Sequence, residues 1–436
     1  MGKARAQGYR AGRITTAGVA VATAVVLALA APDAAARQQT PAQSKSPAPA
    51  APQQSGASQK QGGRGAPPPI PGVPTAGQSG PGIDTMAPHV FLYEADTNTV
   101  LFEKAADEHM PTASMSKMMT AYVVFDMLKQ GKAQLADELP VSEHAWRTGG
   151  SKMFVPIGSK ISIEDLIRGM VIESGNDACV VLAEGLAGSE AAFVDIMNEK
   201  AKQIGLKDSH FANVDGMPDA NHYSTARDLS TLALRTIQDF PEYYKYYSEK
   251  NFAFNNINQG NRNPLLYKDL GADGLKTGHT DEAGYSLTAS VLREKRRIIL
   301  VLGGDPSMKA RAAESERLIE WAFREFQNYK LFSAGDKVDD AEVWLGADPK
   351  VPVTVDKDLV VTLPRQARKD MKVSVSYEKP VPAPVKKGEP VGEVTVTAPE
   401  TQTTKAKLYA AADDGRMGVV GRMATVAGYW IWGNRH

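Results

Sequence analysis

Residues 273–302 read DGLKTGHTDEAGYSLTASVLREKRRIILVL. Two β-rich runs, Tyr285–Leu292 and Arg297–Leu302, lie either side of Glu294-Lys295, the pattern of an antiparallel hairpin. Upstream, His89–Tyr93 and Val100–Lys104 flank Asp96-Thr97-Asn98-Thr99 and predict a second hairpin. Downstream, Arg311–Phe326 carries Leu318, Trp321, Ala322 and Phe326 on one helical face. Between the hairpins, Ser114–Lys129 has Met115, Met118, Met119, Tyr122, Val123 and Met127 at helical spacing. Ser162-Ile163-Glu164-Asp165 has the form of a capping box, and further helices are expected over Asp177–Glu184, Ser189–Ile204 and Thr225–Ile237. Hairpin, helices, strands and helix in that order predict an α+β body with helices on an antiparallel sheet.

From about 334 the pattern changes. Ala341–Leu345, Val351–Val355, Leu359–Leu363, Val373–Tyr377 and Val391–Val396 are short β-rich runs divided by Pro and Gly, which predicts a small all-β domain over 334–407. The tail, 408–436, places Val419, Val420, Met423, Val426, Ala427, Trp430 and Ile431 on one stripe with Arg416 and Arg422 off it, as an interfacial membrane helix would. At the other end, Lys3, Arg5, Arg10 and Arg13 precede an uncharged run from Ile14 to Ala31 and an Ala-rich cleavage-like site. Residues 1–36 therefore read as a signal peptide or an N-terminal anchor, so the body is expected on the extracytoplasmic face of the cell membrane or in the periplasm. The Pro-, Gln-, Ser- and Gly-rich stretch 37–84 reads as a disordered linker. The body proper is then 85–333.

The 436-residue chain balances 50 Lys+Arg against 50 Asp+Glu, which argues against a nucleic-acid partner. A single cysteine, Cys179, excludes an intrachain disulfide framework and a cysteine-rich zinc site. No H-E-x-x-H or comparable spacing occurs, so no metal or other cofactor is expected; His144, His210 and His222 read as structural.

Three short motifs carry chemistry. In Ser114-Met115-Ser116-Lys117 the serine and lysine lie three apart, close enough on a helix for the amine to reach the hydroxyl. Serine needs such a base to become a nucleophile, and lysine serves only if burial or another cation lowers its pKa. Ser174-Gly175-Asn176 offers a hydroxyl to relay a proton and an amide to hold a substrate carbonyl. Lys276-Thr277-Gly278-His279 offers a cation, a hydroxyl and a glycine that lets a ligand approach a strand edge. Taken singly, each is better read as an ordinary helix cap, turn or strand end.

In this order, Ser-x-x-Lys, Ser-x-Asn and Lys-Thr-Gly are the signature of β-lactamases and penicillin-binding proteins. Ala113–Thr120, Glu173–Cys179, Asp273–Tyr285 and Lys309–Ser315 extend the likeness, and over about 85–407 the chain resembles the low-molecular-mass penicillin-binding proteins that are serine-type D-alanyl-D-alanine carboxypeptidases (peptidase family S11). The resemblance implies a β-lactamase/transpeptidase-like catalytic domain, with a helical subdomain beside the sheet. The implied substrate is a peptidoglycan stem pentapeptide, and β-lactams are implied covalent inhibitors. It makes Ser114 the nucleophile, Lys117 its base, Ser174 the proton relay, Lys276 a shaper of the local field and Asn176 the orienter of the substrate amide. It gives the oxyanion to the backbone N–H groups of Ser114 and His279, and the substrate's carboxylate to Thr277 and Arg311, with Gly278 in the binding strand. The His279 imidazole is a further candidate for handling substrate or water. A β-lactamase is the near alternative, but 177–275 holds no Glu four residues before an Asn, the pattern of the class A deacylating base. A DD-endopeptidase and a non-catalytic wall scaffold are the others; the intact motifs speak against the scaffold.

Overall fold

The computed structural model describes residues 82–432 other than 378 and 379. The expected signal or anchor, and all but the last residues of the expected linker, lie outside that range. Among the described residues a five-stranded antiparallel sheet runs in the order Thr99–Lys104, His89–Glu94, Arg296–Asp305, Gly284–Arg293, Ala272–Thr280.

Alternation along these strands feeds two separate cores. Val90, Leu92, Leu287, Ala289, Ile298, Leu300 and Leu302 point to one side and meet Leu318, Ile319, Trp321 and Ala322 of the helix Met308–Glu325. Phe91, Tyr93, Ile299 and Val301 point to the other side, into a larger core built by the remaining helices. Covering both faces explains why the run Ile298–Leu302 is apolar without a break. At the centre of the larger core is the helix Lys117–Lys129, whose residues from Lys117 through Phe125 are all buried. A helix that is apolar nearly all round has no face left for solvent, so its first residue, a lysine, is buried with it.

Capping sets several helix starts. Ser162 Oγ accepts from the Asp165 N–H (3.1 Å), as the capping box predicts. Thr225 caps Ala226–Asp239 and Ser307 caps Met308–Glu325 in the same way. The last helix thus starts and stops earlier than its apolar face suggested. Phe326 opens a strand, Phe326–Phe332, that pairs with Leu359–Pro364.

The all-β part therefore begins at Phe326 rather than 334. It also runs beyond 407. Thr404–Ala410 pairs with Pro390–Thr397 and Lys350–Thr354, and isolated bridges continue the pairing to Asp414 and Arg416. In full the larger sheet has six strands, ordered Lys372–Tyr377, Pro390–Thr397, Thr404–Ala410, Lys350–Thr354, Lys337–Trp344, Val381–Pro382. Its core is aliphatic, centred on Ala341, Val353, Val394 and Leu408. Only Val419–Trp432 forms the tail helix.

Candidate active site

The turn Ala113–Ser116 is a short 3-10 helix that leads directly into Lys117–Lys129. Ala113 has φ +46°, the left-handed region that costs a residue with a Cβ about 1 kcal/mol or more. Ser174, between the helices Ile163–Val171 and Asn176–Ala187, has φ +64°. Two strained, buried backbone positions thus carry or adjoin the two motif serines.

The Lys117 amine bridges two of the motifs. Nζ lies 2.9 Å from Ser114 Oγ, 2.7 Å from Asn176 Oδ1 and 2.5 Å from the Asp215 carbonyl oxygen. Asn176 Nδ2 donates to the Gly149 carbonyl (2.9 Å), which fixes the amide's orientation and turns Oδ1 toward the lysine. Burial drives the Lys117 pKa down and Arg262 adds to this, while Cys179 and Asp215 pull the other way.

Lys276 holds the third motif to the second, its Nζ donating to Ser174 Oγ (3.0 Å) and to the Thr277 carbonyl (3.1 Å). Its pKa falls well below the usual lysine value through burial first, then the charges of Lys117 and Arg262. The strand edge presses on the serine turn at Gly278, where a Cβ would come within 2.7 Å of the Thr112 carbonyl oxygen and 3.2 Å of Met115 Cγ. Only glycine permits that approach. Ser114, Lys117, Ser174, Asn176, Lys276 and Gly278 thus form one continuous assembly.

The remaining expected residues sit around it. Thr277 is buried beside Lys276. The His279 ring is exposed and stacks on Tyr285 with 3.9 Å between centroids. Arg311 is buried, its guanidinium 3.5 Å from the Ser286 and Arg262 carbonyls, with no hydrogen-bond partner for Nε among the described residues. Burial pushes its pKa down to about 10, with Asp305 opposing.

Three contributors escape a reading of motifs. Asp177 accepts from the N–H groups of Met153, Phe154 and Val155 (3.0, 2.9 and 3.2 Å), latching that segment to the Asn176 helix. Arg262, held by Ser151 Oγ at 2.6 Å, lowers the pKa of both lysines. Asp215 contributes through its backbone carbonyl, which no side-chain pattern reveals. Beneath the turn, His222 Nδ1 accepts from the Ala212 N–H (3.2 Å), so Nε2 carries the proton and donates to Ser116 Oγ (2.6 Å). Burial pushes the His222 pKa down to about 4, so the ring is neutral near pH 7.

A half-buried serine partnered by a buried lysine, at the start of a helix and against a strand edge, is the arrangement of a lysine-activated serine hydrolase. The comparisons narrow this class. Residues 75–307 match the family described as D-alanyl-D-alanine carboxypeptidase, and residues 326–416 match the penicillin-binding protein 5 C-terminal domain. The D-alanyl-D-alanine carboxypeptidase DacA of Haemophilus influenzae is 38% identical over 347 residues, covering 78% of this chain and 87% of its own. DacA of Escherichia coli K12 is 40% identical over 333 residues, covering 74% and 80%. The crystal structure of H. influenzae penicillin binding protein 5 superimposes with a TM-score of 0.70 at 37% identity, over 77% of this chain and 99% of its own. Penicillin-binding protein D2 of Listeria monocytogenes, solved in an ampicillin-bound form, aligns at 29% identity with a TM-score of 0.52, over 56% and 99%. The chain belongs to the peptidase S11 D-alanyl-D-alanine carboxypeptidases, of the penicillin-binding protein 5 type.

Proposed function

We propose that this serine-type carboxypeptidase removes the terminal D-alanine from peptidoglycan stem peptides through an ester on Ser114. The buried Lys117 amine, 2.9 Å from Ser114 Oγ, carries the reading. Asn176 Oδ1 and the Asp215 carbonyl can only accept, so they engage two N–H groups. The third neighbour, Ser114 Oγ at 2.9 Å, is the nucleophile, and a neutral amine keeps a lone pair that can take its proton. Burial favours that neutral form.

In the acylation step Ser114 Oγ attacks the carbonyl carbon between the two D-alanines, and the hydroxyl proton passes to Lys117 Nζ. The carbonyl electrons move onto oxygen, facing the backbone N–H groups of Ser114 and His279. Collapse breaks the C–N bond. The departing amine takes a proton relayed through Ser174, with Lys276 shaping the field, while Asn176 orients the substrate amide. Thr277 and Arg311 bind the terminal carboxylate. Water then adds to the ester, and its cleavage returns a proton to Ser114 Oγ. A β-lactam acylates the same oxygen, but its leaving group stays tethered, so the ester persists.

Export and membrane attachment complete the proposal. Among the described residues no helix is long and apolar enough to cross a membrane. The tail helix nevertheless exposes Val419, Val420, Met423, Val426 and Trp430 together, as a helix lying in an interface would.

The test pairs D-alanine release from a stem pentapeptide with intact mass after incubation with penicillin. A stable single adduct and release, both lost in Ser114→Ala, are expected. An adduct in Ser114→Ala, or one that hydrolyses within seconds in the native enzyme, would overturn the reading.

A further inference from the structure

Beyond His279 the surface stays concave. A hollow of about 290 Å³ is lined by Thr112, Ala113, Gly216, Met217, Asp219 and Glu282, among others. A second, of about 610 Å³, runs past His279, Asp281, Glu282 and Tyr285 to Asp305. Met110, Pro111, Thr280 and Glu282 line both, so the two are continuous and open beside the Ser114 turn.

The charge of this extension is one-sided. Its charged lining is Asp219, Asp281, Glu282 and Asp305, with no Lys or Arg. Asp305 stands apart from the exposed carboxylates. It is 0% exposed, and neither carboxylate oxygen has a hydrogen-bond partner among the described residues. A buried acceptor without a donor is costly, so a ligand that donates there is favoured. Burial and Glu314 push its pKa up to about 6, with Arg311 opposing, which leaves it ionised at neutral pH.

We propose that this acidic extension binds the free amine of the stem-peptide residue preceding the two D-alanines, with Asp305 as its buried acceptor and Glu282 at its entrance. The inference rests on the carboxypeptidase reading above. There the leaving D-alanine is held among cations, so the rest of the stem leaves by another route, and this groove is open beside the nucleophile. A stem whose amine is already acylated, as in a cross-link, brings no charge to the extension. The enzyme thus selects uncross-linked stems.

The test compares kcat/KM for D-alanine release from Nα-acetyl-L-Lys-D-Ala-D-Ala and from its Nα,Nε-diacetyl form. A preference of about tenfold for the free amine is expected, the scale of a partly desolvated charge pair. Asp305→Asn and, at an exposed position, Glu282→Gln should each shrink that ratio; a ratio cancels any loss common to both peptides. Equal rates for the native enzyme, or an unchanged ratio in both variants, would overturn this inference and leave the carboxypeptidase reading standing. Release from neither peptide would overturn both.

Discussion

The surroundings of the serine turn and the core of the all-β half bury opposite kinds of side chain. Around the serine turn the interior holds Lys117, Glu173, Ser174, Asn176, Asp177 and Lys276, all at or below 4% exposure. The all-β half buries Val353, Val361, Val394, Leu408 and similar aliphatics. Desolvated charge works against folding and desolvated carbon favours it. The contrast shows where the chain is strained for chemistry and where it is simply held together.

The sharpest way to break the comparison is Lys117→Ala. Acylation by penicillin should fall by at least about a thousandfold, because the nucleophile loses its base. The melting temperature should stay within about 3 °C, because the lost amine was itself poorly solvated. Unchanged acylation would remove Lys117 from the base role.

Next in size is a pair of truncations. Ending the chain before Thr404 deletes a central strand with two buried residues, Leu408 and Ala410. Removing a buried Leu alone costs about 2–5 kcal/mol. A separate low-temperature calorimetric transition is expected, with the penicillin adduct retained. Ending at Gly418 should leave both melting and D-alanine release unchanged and lower recovery on anionic lipid vesicles by about fivefold. Equal vesicle recovery would reject the tail as a membrane contact.

The smallest effect concerns Glu173, whose two carboxylate oxygens are buried without hydrogen-bond partners among the described residues. Burial and Asp177 raise its pKa to about 8, with Arg262 opposing. Between the unfolded value of 4.5 and about 8 the folded state binds the extra proton, so stability falls as pH rises through that window. Melting temperatures from pH 5 to 9 should decline less steeply in Glu173→Gln than in the native protein. Parallel slopes would show that this carboxyl does not set the pH dependence.

The three motifs were legible because each is local: Ser114 and Lys117 are three apart, Ser174 and Asn176 two, and Lys276 through His279 lie on one strand. Sequence order also carried the likeness to a known family. What escaped depends on distant partners. Arg262 lies in a polar loop and Asp305 ends the strand Arg296–Asp305, and their importance follows only from what packs beside them. The domain edge at 334 fell short because Phe326 continues the apolar face of the preceding helix, while its strand is defined by Leu359–Pro364. The edge at 407 failed likewise, since Thr404–Ala410 has the ragged polarity of a half-covered strand.

One junction has mechanical meaning. Thr97, in the first hairpin's turn, meets Thr362 of the all-β half with 2.5 Å between their hydroxyl oxygens. Asn328 donates to Glu94 (2.8 Å) and accepts from Thr362 (2.8 Å). These contacts tie the all-β half to the turn of the first hairpin. Under the membrane attachment proposed above, the all-β half spaces the cleft from the bilayer, and this joint is where that spacing reaches the catalytic half.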